Sequence, residues 1–192
     1  MNQLILKFSK LHLGCGERFL SGYTHIDIDQ HDHIDFLRPI DNLEIFEDNT
    51  IQEIYASHVL EYFDKYKVVN VLKEWKRVLK PGGELKLAVP DFKNLVRVYN
   101  LTEDIKNIEG PITGLWEVNN NSDTLFHKQI FDEVKLSQLL ESCGYVNVSR
   151  WDWKEFIKDH PNYDDHSQAY FPHMDKKNGI HVSLNLSCFK ED

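Results

Sequence analysis

Gly14-Cys15-Gly16 closes the short apolar run Leu11-His12-Leu13. A glycine pair at a strand end lets a ligand approach the backbone, because no side chain blocks it. Asp27 stands near the tip of the next run, Tyr23–Asp29, where its carboxylate could accept hydrogen bonds from two ribose hydroxyls, with Asp29 as the alternative. Taken alone, the glycine pair is equally a tight turn. Gly16 and Asp27 are 11 residues apart, against roughly 20 in a dinucleotide fingerprint. The third fingerprint glycine is also missing, so the crossover shrinks to about one helical turn around Glu17–Leu20. A pyrophosphate needs the start of a full helix, which disfavours NAD and an oxidoreductase. An adenosine ligand without phosphates tolerates the shorter connection.

Histidine titrates near pH 6.5 and is the natural base for removing a proton from an acceptor hydroxyl. His58 follows the apolar run Ile51–Ser57, at the kind of strand end where open α/β sheets bind ligands. It serves equally well as a hydrogen-bonding cap for the next helix. Glu61, three residues on, either orients that ring or faces solvent. Asp91 follows Glu84–Val89 and faces the same crevice, or caps the next helix. Asp164, Asp165, His166 and His173 crowd one polar stretch. They could hydrogen-bond a polyhydroxylated acceptor or form a solvated acidic loop, and without a fixed ligand spacing no metal is assigned. Trp151, Trp153, Tyr163, Tyr170 and Phe171 are interleaved there, either to stack on sugar rings or to cover the sheet edge.

These residues need strands to carry them. Strands are predicted at 11–16, 23–29, near 33–36, 51–57, 84–89, 145–149 and 180–189. Val68, Leu72, Trp75 and Leu79 recur at helical spacing, and Pro81-Gly82-Gly83 should stop that helix. A second helix is expected at 132–142. Strand–helix alternation of this kind predicts an α/β fold with a mostly parallel sheet. The pattern breaks at 100–127 and 151–179, read as lid or substrate-site insertions in a single domain spanning 1–192. Asn119-Asn120-Asn121-Ser122-Asp123 is the most turn-rich stretch.

The 192 residues carry a formal net charge of −9. That balance argues against nucleic acid and anionic membranes, which need a basic patch. It favours a neutral or cationic acceptor, or a metal to offset an anionic one. The three cysteines, Cys15, Cys143 and Cys188, are scattered and form no CxxC pair. Neither a zinc site nor a disulfide framework is expected, and no apolar run approaches the ~18 residues of a membrane span. A cytoplasmic location is the expectation.

Five blocks then occur in order: Leu11–Gly16, Gly22-Tyr-Thr-His-Ile-Asp27, Ile54-Tyr-Ala-Ser-His-Val-Leu-Glu-Tyr-Phe63, Glu74–Gly83 and Leu87-Ala-Val-Pro-Asp-Phe92. Together they resemble the class I S-adenosylmethionine-dependent methyltransferases, in the type 11 branch. His127-Lys128…Phe131 and Leu136–Gly144 resemble the family's following segment. The resemblance implies a Rossmann-like, seven-stranded sheet with an antiparallel last strand, and S-adenosylmethionine as cofactor. It implies that Leu13, Gly14, Cys15 and Gly16 line the methionine part, that Asp27, with Ile28 and Asp29 beside it, meets the ribose, and that Asn42 and Leu43 flank the adenine. Ser57 and His58 would close over the methionine side, and His127 would join the active site. His12 replaces an acidic or amide residue of many relatives, and Tyr62 a second histidine. The expected activity is O-methylation of a small acceptor such as a glycan sugar, with His58, His127 and Asp91 as catalytic groups. A non-sugar small molecule is the alternative acceptor, and a non-catalytic subunit that binds S-adenosylmethionine or S-adenosylhomocysteine the alternative function.

Overall fold

The computed structural model describes residues 9–118 and 123–191. Seven strands form the main sheet: β1 (Lys10–Leu13), β2 (Thr24–Asp27), β3 (Phe36–Leu37), β4 (Ile51–Ser57), β5 (Leu79–Pro90), β8 (Tyr145–Arg150) and β11 (Ser183–Lys190). Their spatial order is β3-β2-β1-β4-β5-β11-β8. β1, β2, β3, β4 and β5 pair in parallel, while β11 runs antiparallel to both β5 and β8. Parallel strands with a single reversed one give the α/β sheet that the alternation predicted, in the Rossmann-like form that the resemblance implied.

Side-chain alternation along the strands divides the sheet into two unlike faces. Leu11, Leu13, Ile26, Ile54, Ala56, Leu85, Leu87, Val89, Leu184 and Leu186 all enter one apolar cluster. Helix α1 (Lys67–Val78) adds Val68, Val71, Leu72 and Trp75 to it. Helix α4 (Glu133–Ser142) adds Leu136 and Leu140. Each such side chain, once fully buried, contributes roughly 1.5–3 kcal/mol. The alternate positions are polar or aromatic: His12, His25, Tyr55, Ser183, Asn185 and Ser187 are all buried. Leu20, Tyr23 and Tyr55 pack against Trp151, Phe156 and Tyr163, and Tyr55 stacks on Phe156 at 4.9 Å. The aromatic surplus of 151–171 therefore closes the second face of the sheet.

Local differences from the sequence reading have simple causes. The first crossover contains no helix at all: Gly16–Glu17 is turn and Arg18–Leu20 irregular, with Arg18 N–H donating to Cys15 O at 2.9 Å. The ten residues joining β1 to β2 sit at the lower limit of the roughly ten to twelve a helical crossover takes. Helix α1 ends at Val78, and Leu79 turns extended to pair with Ile51. Lys80, ahead of Pro81, is barred from the helical region. β5 thus starts earlier than expected and passes through Pro81-Gly82-Gly83. The last predicted strand splits at Val182 into β10 (Ile180–His181) and β11.

Both insertions are more ordered in structure than loops. The first holds the end of α2 (Phe92–Thr102), α3 (Lys106–Thr113) and an antiparallel pair, β6 (Trp116–Val118) with β7 (Asp123–Leu125). Asn119–Ser122 lie outside the described residues. The second holds α5 (Trp153–Asp159), capped by the Asp152 side chain, then a 3-10 turn at His166–Gln168 and β9 (Tyr170–Phe171), which pairs with β10. No helix among the described residues is long and apolar enough to cross a membrane.

Candidate active site

The glycine turn follows β1 directly. Gly14 takes φ +64°, and a Cβ there would collide with the Val59 side chain. Gly16 takes φ +52°, and its Cβ would press within 3.1 Å of the Trp116 ring. Two close approaches thus exclude side chains at the turn. Asp27, only 6% exposed, ends β2 against it. Its Oδ2 accepts from Gly16 N at 2.7 Å and its Oδ1 from Asp29 N at 2.8 Å. Each carboxylate oxygen keeps a second lone pair for a ligand hydroxyl. A cavity of about 720 Å³ opens alongside, lined by Glu17, Asp29, Gln30, His31 and Trp116. That volume suits a nucleoside-sized ligand.

The turn after β4 carries the second group. His58 has φ +56°, a left-handed conformation that costs a non-glycine residue about 1 kcal/mol or more. Its N–H donates to Ala88 O at 2.8 Å, which ties the bend to β5. Ser57 Oγ beside it is buried and, among the described residues, has no hydrogen-bond partner. His58 Nε2 lies 3.1 Å from Ser183 Oγ, and the ring sits 5.3 Å from that of His166. Burial, with His166 and His127 nearby, holds its pKa well below the usual histidine value.

His127 comes from the far end of the first insertion and meets the same turn. Its Nδ1 is 3.0 Å from Pro111 O and its Nε2 3.8 Å from Glu61 Oε1, while His58 Nδ1 approaches the same oxygen at 3.5 Å. Glu61 has no exposed surface, and burial pushes its carboxyl up to about 8. The folded chain therefore keeps this proton up to about pH 8, whereas the free side chain releases it at 4.5. The group's contribution to stability is complete below about 4.5 and is lost as pH rises through about 8. Glu61→Gln is expected to remove that decline, which urea midpoints measured across this pH range check.

Other expected site residues are committed elsewhere. Asp91, expected as a catalytic carboxylate, is 1% exposed and caps α2, accepting from Lys93 N, Asn94 N and Asn94 Nδ2 at 3.1, 3.4 and 2.9 Å. Asp165, expected at the acceptor, is buried and binds Tyr55 and Tyr163 hydroxyls. Asp164 is exposed and pairs with Lys176, and His173 is exposed. Only His166 of that group adjoins His58. Leu43, expected at the adenine, is buried in the apolar core with its N–H on Glu74 Oε1. Asn42 is exposed and accepts from Glu44 N and Arg38. Cys15 is buried and Ile28 half-buried beside the turn. His12 lies on the polar face of the sheet, its Nε2 3.3 Å from Tyr163 Oη. Trp116 and Val59 had no functional signal in the sequence, since their contacts to the glycines join distant segments.

Residues 11–87 match the family described as Methyltransferase domain. No curated protein matches the chain. Among solved structures it is similar to the Burkholderia thailandensis 1,6-didemethyltoxoflavin-N1-methyltransferase with bound S-adenosylhomocysteine, at 13% identity over 95% of this chain and 71% of that one, with TM-score 0.54. A SAM-dependent methyltransferase from Methanosarcina mazei shares 17% identity over 96% and 93% of the two chains, with TM-score 0.55. One from Archaeoglobus fulgidus shares 14% over 98% and 90%, also with TM-score 0.55. The fold is that of solved S-adenosylmethionine-dependent methyltransferases, and residues 11–87 carry the family match. The residues present fit that cofactor: Asp27 has lone pairs to spare near the cavity, and among the described residues Ser57 Oγ is unpartnered.

Proposed function

We propose that this methyltransferase methylates a hydroxyl of a small acceptor such as a glycan sugar. The observation that carries the cofactor side is the buried Asp27 carboxylate, fixed by two backbone N–H groups beside the glycine turn and the 720 Å³ cavity. When bound, S-adenosylmethionine supplies a sulfonium methyl whose C–S bond breaks, leaving its electron pair on sulfur, as the bond to the acceptor forms. The protein's own task is alignment and removal of the hydroxyl proton. Gly14 and Gly16 admit the methionine part, Asp27 accepts from the ribose, and Ser57 closes the methionine side. His58 and His127 serve as the proton-accepting groups, with the two insertions as walls of the acceptor site.

A second cavity of about 820 Å³ is lined by Tyr66, Ile112, Phe126 and His127, with Lys65, Lys128 and Lys135 against the single Asp64. Three cations and one anion favour an acceptor bearing a negative group, in place of the neutral or cationic one that the net charge suggested. Methyl transfer to nitrogen is the competing chemistry, and a non-catalytic subunit the competing role. Calorimetry with S-adenosylhomocysteine, followed by methyl transfer to sugars, anionic phenols and heterocyclic amines, tests the reading. Binding followed by transfer to a sugar or phenol hydroxyl is the expected result. Transfer only to nitrogen would refute the O-directed reading, binding without transfer to any acceptor would favour the subunit, and no binding would overturn the whole assignment.

A further inference from the structure

Glu61 lies in the 3-10 turn Leu60–Tyr62 after β4, and among the described residues neither carboxyl oxygen has a hydrogen-bond partner. Two imidazole nitrogens face its Oε1, His58 Nδ1 at 3.5 Å and His127 Nε2 at 3.8 Å. The other contacts of those rings decide which nitrogen carries hydrogen. Asn185 Nδ2 donates to Ser167 O at 3.0 Å, so its Oδ1 is the atom that accepts from the Ser183 hydroxyl at 2.8 Å. A hydroxyl has one proton to give. Ser183 Oγ must therefore accept from His58 Nε2, which leaves Nδ1 bare in the neutral ring. Pro111 O can only accept, so His127 Nδ1 donates to it and Nε2 is bare.

Two lone pairs and a carboxylate oxygen would then converge where water is excluded. Three acceptors with no donor are costly in such a place. We propose that Glu61 holds a proton shared with His58 Nδ1 and His127 Nε2, coupling the titration of the two rings. Glu61 is thus a positioning residue. Burial acts the same way on all three groups, favouring the neutral acid and the neutral rings. The remaining titratable groups facing the trio are Tyr62, whose ring lies 4.7 Å from that of His127, with His166 and His181 on the His58 side. Its use in proton removal rests on the methyl-transfer reading, whereas the shared proton does not.

Long-range proton–nitrogen imidazole NMR, with the Glu61 carboxyl carbon observed in parallel, tests this on the full chain with and without S-adenosylhomocysteine. The expected spectra show Nε2–H for His58, Nδ1–H for His127 and a protonated Glu61 near pH 6.5, where free histidine titrates. In Glu61→Gln the amide donates in place of the shared proton, so the fold persists while the rings titrate as independent single groups. In Glu61→Leu the Ser183 and Pro111 contacts keep the tautomers, while the coupling of the two rings is lost. An ionised Glu61 beside two neutral rings, the opposite tautomers, or unaltered titration in Glu61→Gln would overturn the proposal. Failure of the wild-type chain to bind S-adenosylhomocysteine would instead remove the methyl-transfer reading, with the ligand-free spectra unchanged.

Discussion

Asp27→Ala is expected to abolish measurable S-adenosylhomocysteine binding and to weaken the fold at the same time. The ribose loses two hydrogen bonds to a charged acceptor, each worth roughly 1.5–3 kcal/mol, or about a hundredfold or more in affinity together. The same substitution strips the Gly16 and Asp29 N–H groups of their acceptor. Each costs about 1–3 kcal/mol if left dry. Calorimetry and thermal unfolding of the same preparation separate the two losses, and Asp29→Ala is the control. Retained affinity in Asp27→Ala with loss in Asp29→Ala would move the ribose contact to Asp29, which lines the cavity.

The largest stability effect is expected at Asp165. Its Oδ2 accepts from Tyr55 Oη at 2.6 Å and Tyr163 Oη at 3.0 Å, and its Oδ1 from Ser167 N at 2.9 Å and Ser167 Oγ at 2.5 Å. This carboxylate ties β4 to the segment covering the polar sheet face. Asp165→Ala leaves the buried Tyr55 hydroxyl and the Ser167 N–H without an acceptor, and the half-buried Tyr163 hydroxyl with only His12 Nε2, at about 3–5 kcal/mol. For a chain of this size that corresponds to a fall of roughly 10 °C or more in Tm. Asp165→Asn should lose less, because its oxygen still accepts on one side. A normal Tm in Asp165→Ala with impaired acceptor turnover would restore the substrate-binding role expected from the sequence.

Asp91 and Asp165 show how the sequence leaves two roles open for a carboxylate. Both lie in polar, turn-rich surroundings near strand ends, where a ligand-binding acid and a structural acceptor look alike. The difference is made by which N–H and O–H groups arrive around the oxygens. For Asp91 they come from its own next turn, so the alternative of a cap was visible in Val-Pro-Asp-Phe. For Asp165 the decisive donor is Tyr55, far away in the chain, and no local pattern announces it.

What the sequence determined by itself is the short-range part of this protein. The apolar periodicity of α1, the glycine turn, the carboxylate at the end of β2 and the strand–helix alternation all follow from neighbours a few residues apart, where sterics and hydrogen-bond geometry act directly. The tertiary structure alone decided what closes over those elements. It laid Trp116 against Gly16, turned the aromatic stretch into the cover of the second sheet face, and carried His127 to Glu61 and His58. The physical reason is that burial sets the chemistry of a polar group, and burial depends on which distant segments pack around it.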